Sequence, residues 1–220
     1  AVKPDDPPPH ALAWRTRLTR AGLAAADAAI VPSAPFGEAA ATVYGTRRFT
    51  VVPNGRAAAA APVARARRGA MASGRLWDEG KNMAALDAAA GLTDVPIAVA
   101  GATDGPNGAR QTFAHARLLE ALDADGVRDA LAGARSYVST ALYEPFGLGV
   151  LEAAQAGCAL VLADIPTLRR LWDGAALFVD PRDPVAIAAA IERVERTPAL
   201  ATALGAAARR RAATMTDARM

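Results

Sequence analysis

Short apolar runs alternate with segments of helical pattern along most of the chain. Apolar runs that predict strands occupy residues 28–33, 49–52, 71–74, 95–100, 136–140, 159–163 and 176–180. Segments that predict helices occupy residues 11–29, 36–44, 82–90, 125–132 and a stretch that begins at residue 183. Such alternation is typical of a parallel sheet with helices on both faces. We therefore predict an α/β fold with a doubly wound, Rossmann-like parallel sheet of at least six strands, whose carboxyl ends hold the ligands.

Two of the predicted helices begin at residues that favour N-caps. Asn82 precedes the segment that ends at residue 90, and Asp183 precedes the helix that starts with a proline. The second of these helices has an apolar stripe at helical spacing, which predicts its buried face. The stripe consists of Ile187, Ile191 and Val194.

The stretch from residue 143 to residue 157 combines a glycine-rich loop with a helix that ends at Gly157. Backbone N–H groups at a helix start lack intrahelical partners and carry about half a positive charge, so this layout favours an anion. Glu144 precedes the glycines, and Glu152 lies roughly 4–5 Å along the helix axis from Gly149 at about 1.5 Å per residue. One ligand can therefore reach both carboxylates. The alternative is that Glu152 only complements the helix dipole, which contributes about 0.3–1 kcal/mol.

A second loop with a glycine carries two cations. Residues 73–82 follow a predicted strand and open a predicted helix, so Arg75 and Lys81 are expected at the same edge of the sheet as Glu144. Arginine offers a bidentate fork and lysine a mobile point charge, and both suit a phosphate group. The alternative is a solvated loop in which Lys81 pairs with Glu79.

These stretches resemble elements of retaining glycosyltransferases with the GT-B fold, most closely glycosyltransferase family 4. The resemblance rests on the Glu-x7-Glu element that starts at Glu144, on the Gly-Arg and Lys-Asn pairs within residues 74–82, and on Val-Pro-Asn-Gly at residues 52–55. It covers about residues 25–200. It implies a metal-independent enzyme without a cofactor that moves a hexose, with retention of anomeric configuration, from a UDP- or GDP-linked nucleotide sugar to an acceptor.

The resemblance also implies roles for individual residues. Glu144 contacts the donor sugar, Glu152 binds the ribose, and Arg75 and Lys81 hold the diphosphate, whose negative charge grows as the sugar departs. The departing phosphate takes the proton of the acceptor in the mechanism usually proposed for the family, so no general base is required. The remaining positions expected to line the donor site are Gly74, Phe146, Gly147, Leu148 and Gly149.

Relatives of this type are considerably longer than 220 residues. We expect residues 1–47 to be a lead-in and the last helix-strand-helix unit of an amino-terminal acceptor domain. Residues 48–220 are expected to form the nucleotide-sugar-binding domain, so that this chain binds a donor but transfers sugar poorly. The acceptor is a sugar, a lipid or another small molecule, and no motif identifies it, the donor base or the donor sugar. The alternative function is a non-catalytic nucleotide or nucleotide-sugar binding module that assembles with a partner.

The composition, with 52% hydrophobic and 21% charged residues, is that of a globular protein. Charged residues or prolines interrupt every apolar segment before the ~18 residues of a membrane span, and residues 1–10 lack the apolar core of a signal peptide. The single cysteine, Cys158, excludes an internal disulfide and lies in an apolar run typical of a buried side chain. We expect a cytoplasmic location.

A net charge of +3 raises the possibility of a nucleic-acid or anionic-membrane partner. The arginine clusters at residues 65–68 and 209–211 lack interleaved aromatic residues, so we interpret them as solvated or packing faces and expect no nucleic acid. Peripheral contact with an anionic membrane is left as an open alternative.

Asp123 and Asp125 match the Asp-x-Asp element that holds a metal in the other main glycosyltransferase fold. Their position just before a predicted helix favours capping, and we predict no metal site. His10 is expected to be solvated and His115 to be a helix or loop residue rather than a catalyst. Arg170 stands where the resembling family often has glutamate, and no role is assigned to it.

Overall fold

The computed structural model describes residues 13–45, 49–57, 66–106 and 108–219. The expected lead-in with His10, the first two residues of the first predicted helix, and Arg65 of the first arginine cluster lie outside these ranges.

The amino-terminal elements form a small unit of two helices and two strands. They are α1 (Ala13–Ala25), β1 (Ile30–Val31), α2 (Ala34–Tyr44) and β2 (Thr50–Val51). Strand β1 pairs with β2 in parallel, with Ile30 opposite Thr50. Helix α2 begins after Ser33, whose hydroxyl accepts from the Phe36 backbone N–H, and ends at Gly45. The helix-strand-helix-strand order predicted for this region is confirmed.

The main sheet has six strands, and every neighbouring pair is parallel. The strands are β3 (Ala70–Ser73), β4 (Ile97–Ala100), β5 (Arg117–Leu118), β6 (Ser136–Ser139), β7 (Ala159–Ala163) and β8 (Ala176–Val179). Their spatial order is β5-β4-β3-β6-β7-β8, with Met71 of β3 opposite Tyr137 of β6. The chain therefore winds outward in opposite directions from the central pair, β3 and β6. This arrangement confirms the predicted doubly wound, Rossmann-like fold.

Helices cover both faces of the main sheet. They are α3 (Met83–Ala90), α4 (Ala124–Gly133), α5 (Leu148–Gln155), α6 (Pro166–Trp172), α7 (Pro184–Arg196) and α8 (Pro198–Ala212), with short 3-10 turns at Glu79–Lys81 and Asp217–Arg219. One apolar layer joins α3 and α7 to the sheet, and the other joins α4, α5, α6 and α8 to it. Ile187, Ile191 and Val194 are fully buried, so the predicted stripe of α7 is confirmed.

Several predictions about individual elements were wrong. The strand predicted at residues 49–52 pairs with β1 and does not join the main sheet, where β5 occupies the sixth place. Strand β5 was not predicted because two residues, Arg117 and Leu118, show no alternation. Helices α6 and α8 were also missed. Helix α8 is rich in alanine, and Gly205 lies so close to the Gly157 carbonyl that a Cβ there would be 2.4 Å from its oxygen, so this helix packs without a stripe of large side chains.

The predicted N-caps had different outcomes. Asp183 Oδ1 accepts from the backbone N–H groups of Val185 and Ala186, as expected for a cap. Asn82 adopts left-handed backbone angles with φ of 54° and does not cap α3 with its side chain. Its amide instead donates to the Pro181 carbonyl at 2.6 Å, which links the start of α3 to the loop before α7.

Candidate functional site

A cavity of about 470 Å³ opens at the carboxyl ends of β3 and β6. The strand order reverses between these two strands, and such a switch point is where doubly wound sheets hold their ligands. The cavity is lined by the loop after β3, the loop after β6 and the first turns of α5. Of the residues predicted for the site, those that line the cavity are Gly74, Arg75, Lys81, Glu144, Gly147, Leu148, Gly149 and Glu152.

Phe146 is the predicted site residue that does not line the cavity. Its side chain is buried in the apolar layer that contains α5 and β7. Phe146 therefore anchors the loop after β6 in the apolar layer, and the residues that follow it line the cavity. Gly147, which comes next, adopts φ of 94° immediately before the first residue of α5.

The amino terminus of α5 faces the cavity with its backbone. Leu148 and Gly149 form its first turn, whose N–H groups have no partner inside the helix. A Cβ on Gly149 would lie 2.5 Å from the hydroxyl oxygen of Tyr137, so only glycine fits between the helix and this side chain. The absence of a side chain keeps the helix terminus open to a ligand, and its dipole favours a negative one.

Tyr137 forms part of the cavity wall beneath α5 and was not predicted from the sequence. Its hydroxyl lies 3.2 Å from Ser73 Oγ and donates to the Ser73 carbonyl at 3.3 Å. Burial, with a smaller contribution from the charges of Glu144 and Glu152, raises the pKa of Tyr137 to about 12 despite the hydrogen bonds with Ser73. Tyr137 therefore remains a neutral hydroxyl that joins β3 to β6 across the switch point.

Lys81 and Glu144 form an ion pair inside the site. Lys81 Nζ donates to Glu144 Oε2 at 2.5 Å, and the side chains are 23% and 12% exposed. Lys81 therefore pairs with Glu144 of another loop and not with Glu79, the alternative partner in its own loop. Lys81 and Glu144 belong to separate elements in the sequence. Their ion pair brings them together at one wall of the cavity.

The loops that carry this pair are held together by buried backbone contacts. Thr140 is fully buried, and its hydroxyl lies 3.1 Å from the carbonyl oxygens of both Lys81 and Asn82. The Leu142 N–H donates to the Gly80 carbonyl at 2.9 Å. Because both ends of the Lys81 turn are attached to the loop after β6, the fold sets the position of the backbone that carries the Lys81 side chain.

Glu152 forms an ion pair with Arg56, a residue that sequence reasoning missed. The Arg56 guanidinium donates to Glu152 Oε1, and both residues line the cavity. Arg56 directly follows the Val-Pro-Asn-Gly element at residues 52–55, to which no side-chain role was assigned. No local spacing could indicate the contact because the two residues are 96 positions apart.

Arg75 lies at the exposed rim of the cavity. Its guanidinium donates to Asp78 Oδ2 at 2.8 Å and lies 5.6 Å from the centre of the Trp77 ring. Asp78 also accepts from the Gly80 N–H at 3.0 Å and so stabilises the turn that carries Lys81. Arg75 is thus held near the cavity by its own loop and is the most exposed of the three lining cations.

Other polar residues, which do not line the cavity, have structural roles. Asp123 Oδ1 accepts from the Gly126 N–H at 2.8 Å, which confirms it as the cap of α4, and Asp125 pairs with Arg128. Asp164 pairs with Arg169 of α6, which lowers the pKa of its carboxyl group, and it does not line the cavity. His115 lies in the loop before β5, as expected.

The arginine clusters also contact backbone groups. Arg67 donates to the carbonyls of Ala134 and Ala156 at the ends of α4 and α5, and Arg211 donates to those of Leu171 and Asp173 at the end of α6. These contacts confirm the packing interpretation for both arginines, because cations near helix carboxyl ends complement the dipole.

Within the described ranges, no group of three or more histidine, cysteine, aspartate or glutamate side chains is arranged to hold a metal ion. In the same part of the chain, no helix combines the length and the apolar character needed to cross a bilayer.

The chemistry of the cavity suits a phosphorylated ligand that also carries hydroxyl groups. Three cations, Arg56, Arg75 and Lys81, and two carboxylates, Glu144 and Glu152, line it together with the amino terminus of α5. Cations and helix N–H groups attract phosphate, whereas carboxylates accept hydrogen bonds from hydroxyls.

A family model described as "Glycosyl transferases group 1" matches residues 98–211, which include α4 to α7, most of α8 and both carboxylates of the site. No curated protein sequence matches the chain.

Solved structures share the fold. Sucrose-phosphate synthase from Thermosynechococcus elongatus is 23% identical with a TM-score of 0.80, over 97% of this chain and 61% of that chain. Anabaena HepE in complex with UDP-glucose is 18% identical with a TM-score of 0.79, over 93% of this chain and 64% of that one. The pneumococcal O-GlcNAc transferase GtfA in complex with UDP and GlcNAc is 17% identical with a TM-score of 0.69, over 90% and 44%. The present chain therefore spans less than two thirds of the length of each of these proteins.

Proposed function

Because this chain belongs to the glycosyl transferases group 1 family, we propose that it carries the donor-binding half of a retaining glycosyltransferase. The reaction is the transfer of a hexose from a nucleotide-diphosphate sugar to a sugar, lipid or other small-molecule acceptor. The observation that carries this proposal is the cavity at the switch point of the sheet, where two carboxylates, three cations and the start of α5 converge.

The diphosphate of the donor would lie at the amino terminus of α5. There Leu148 and Gly149 line the cavity in the first turn of the helix, whose N–H groups have no intrahelical partner, and Lys81 and Arg75 supply positive charge from the opposite loop. As the sugar departs, negative charge grows on the leaving phosphate, and cations fixed in place beforehand stabilise it without reorganisation. For Lys81, the contact of its backbone with Thr140 and the ion pair of its ammonium group with Glu144 support such a position.

The two carboxylates would bind opposite ends of the donor. Glu144 precedes α5, and Glu152 lies one turn into the helix. We assign Glu144 to the sugar and Glu152 to the ribose. Each is already paired with a cation, Lys81 and Arg56 respectively, and each keeps further oxygen lone pairs that can accept from hydroxyl groups of the donor. No general base and no metal ion is assigned, and the departing phosphate would take the proton of the acceptor.

The structural neighbours favour a uridine nucleotide as the first donor to test. HepE was solved with UDP-glucose and GtfA with UDP and GlcNAc. We therefore place UDP ahead of GDP for this chain.

Titration calorimetry with UDP and GDP tests the proposal. The wild-type chain is expected to bind one of the two, and Glu152→Gln is expected to weaken that binding about tenfold, because a carboxylate that accepts from hydroxyl groups becomes a neutral amide. Glu192→Gln is the matched control: Glu192 is 24% exposed, close to the 26% of Glu152, and is likewise paired with an arginine, but it lies on α7. If the wild type binds neither nucleotide, the proposal is wrong.

A second candidate function is a nucleotide-sugar binding module that acts only with a partner. It is favoured by the exposure of large apolar side chains on the amino-terminal elements, among them Trp14, Leu18 and Ile30, and by the absence of buried residues in α1. Release of UDP from UDP-glucose in the presence of an acceptor panel tests the second function. Robust turnover by this chain alone would exclude the module, whereas binding without turnover is expected of both functions, because a donor-binding half alone is expected to transfer sugar poorly.

A further inference from the structure

Arg56 reaches the cavity from a different part of the chain than the other two cations. It follows β2, whereas Arg75 and Lys81 belong to the loop after β3. Its guanidinium donates to Oε1 of Glu152, and the two side chains are 54% and 26% exposed. A carboxylate offers about four acceptor positions, so this contact occupies one of them and leaves the others to a ligand.

The backbone of Arg56 is held in place by contacts that do not involve its side chain. The Arg56 N–H donates to the Met215 carbonyl at 3.2 Å. The Gln155 amide donates to the carbonyls of Arg56 and Ala57 at 3.4 and 3.3 Å. Gln155 lies three residues after Glu152 and therefore on the same side of α5. The helix thus fixes both the carboxylate and the segment that carries its partner.

Gly55 strengthens this attachment by a close backbone contact. A Cβ at Gly55 would lie 2.3 Å from both the carbonyl carbon and the oxygen of Thr216. Only glycine allows the segment before Arg56 to lie against the carboxyl-terminal segment at this distance. Because the backbone is fixed independently, substitutions of the Arg56 side chain change the guanidinium contact and leave the segment in position.

We propose that Arg56 is a positioning residue of the nucleotide site, which holds the Glu152 carboxylate in the orientation that accepts hydrogen bonds from the ribose hydroxyls. This inference rests on the proposed function. A glutamate side chain is flexible, and its ordering on binding opposes affinity. An ion pair formed beforehand removes part of that cost. The planar guanidinium suits this role better than an ammonium group because its donors point in fixed directions.

The alternative role for the same contact is competition, in which Arg56 occupies Glu152 and must leave before the nucleotide binds. The two roles predict opposite signs. If Arg56 positions Glu152, its removal weakens binding, and if it competes, its removal tightens binding.

Titration calorimetry on the full 220-residue chain measures this sign. With whichever of UDP and GDP the wild type binds, Arg56→Met is expected to weaken binding about two- to fivefold, a range set by partly exposed ion pairs. Arg56→Lys is expected to give an intermediate affinity. Arg196→Met is the matched control, since Arg196 is 71% exposed and pairs with Glu192 at 3.1 Å on α7, away from the cavity.

A double-mutant cycle shows whether Arg56 acts through Glu152. The variant with both Arg56→Met and Glu152→Gln is expected to bind no more weakly than Glu152→Gln alone, because the positioning residue has nothing left to position. The free energy of unfolding of Arg56→Met, measured in urea, is expected to match that of Arg196→Met.

Each remaining outcome overturns the inference. Tighter binding by Arg56→Met identifies a competitor, and unchanged binding together with a weakened Glu152→Gln leaves Arg56 without a role at the site. Additive losses in the double variant show that Arg56 acts independently of Glu152. Absence of nucleotide binding in the wild type removes the proposed function and this inference together, whereas the other three outcomes leave the proposed function intact.

Discussion

The start of α5 is accessible because residue 149 is a glycine, since Tyr137 occupies the space that a side chain there would need. The Tyr137 hydroxyl is fixed by Ser73 on the neighbouring strand, and the backbone of Gly149 lies directly over it. The tyrosine is buried and cannot swing aside without breaking its contacts with β3. The space between the helix terminus and Tyr137 is therefore too small for one additional methyl group.

Gly149→Ala is expected to weaken nucleotide binding about tenfold or more, because the new Cβ forces either α5 or Tyr137 to move, and overpacking of this kind costs about 1–3 kcal/mol. Calorimetry with the bound nucleotide measures the loss.

The second-site variant Tyr137→Phe removes the atom that the new methyl group meets and is expected to restore part of the affinity of Gly149→Ala. Gly133→Ala is the control, since a Cβ there meets no atom within 4 Å. Unchanged binding by Gly149→Ala would show that the terminus of α5 does not contact the nucleotide.

Among the helices and strands, β5 depends on a side chain of α3. Asp87 accepts from the backbone N–H groups of Ala114, His115 and Ala116, at 2.9, 2.9 and 2.8 Å, just before the strand begins. Burial acts to raise the pKa of Asp87, but these donors outweigh it, and the net pKa lies below the ordinary value of 3.8. The carboxylate is therefore more stable in the folded chain than in the unfolded one.

The sign of this shift gives a pH prediction. A lowered pKa in the folded state contributes stability that is complete above the unfolded pKa, about 4, and is lost as the pH falls through the folded pKa. Asp87→Asn is expected to reduce the free energy of unfolding by about 1–2 kcal/mol at pH 7. The difference from the wild type should shrink as the pH falls below about 4.

Urea unfolding between pH 3 and pH 7 checks this dependence, with Asp94→Asn, an exposed carboxylate in the loop after α3, as the control. A difference between wild type and Asp87→Asn that stays constant over the whole range would contradict the assignment.

The sequence allowed most elements to be predicted where apolar runs are long and bounded by turns, as in β4, β7 and α7. Central strand β3 was predicted from a short apolar run at residues 71–74. Strand β5 and helix α8 were not predicted, and the reasons differ. Strand β5 is too short to show a period, and α8 packs through alanine and glycine, whose burial depends on partners elsewhere in the chain.

The same distinction applies to the site. Glu144 and Glu152 belong to one strand-loop-helix unit, so their separation follows from local geometry, and the structure places both at the cavity. Tyr137 was not predicted because a tyrosine in a strand gives no sign of which neighbour its hydroxyl will meet. Arg56 was not predicted because its partner lies on a distant element, and only the tertiary fold joins them.

For the molecule as a whole, the small amino-terminal unit is tied to the loop that carries Glu144. The Ser33 hydroxyl, 2% exposed, donates to the Pro145 carbonyl at 2.7 Å and also accepts from the Phe36 N–H at 3.4 Å. Helices α2 and α6 pack against each other in the same region. A single hydroxyl thus caps a helix of one unit and supports the site loop of the other.

Ser33→Ala is expected to lower the free energy of unfolding by about 1–2 kcal/mol through the lost cap and the unpaired carbonyl. It is also expected to weaken binding of UDP-glucose a few-fold, because the loop that carries Glu144 loses its support. Urea unfolding and calorimetry provide the two measurements.

Ser33→Thr keeps the hydroxyl and is expected to retain most of both properties. If Ser33→Ala loses stability but binds UDP-glucose as the wild type does, the hydroxyl serves only to cap α2.

The single cysteine of the chain has a practical consequence for testing such couplings. Cys158 is completely buried at the start of β7, and burial raises the pKa of its thiol to about 11 even though Arg67 lies beside it. At neutral pH it is therefore both uncharged and inaccessible to alkylating reagents. Two cysteines introduced together, one on the surface of α1 and one at the cavity rim, will carry fluorescent or spin labels without competition from Cys158, so the distance between the two units can be followed in solution without first replacing a native residue.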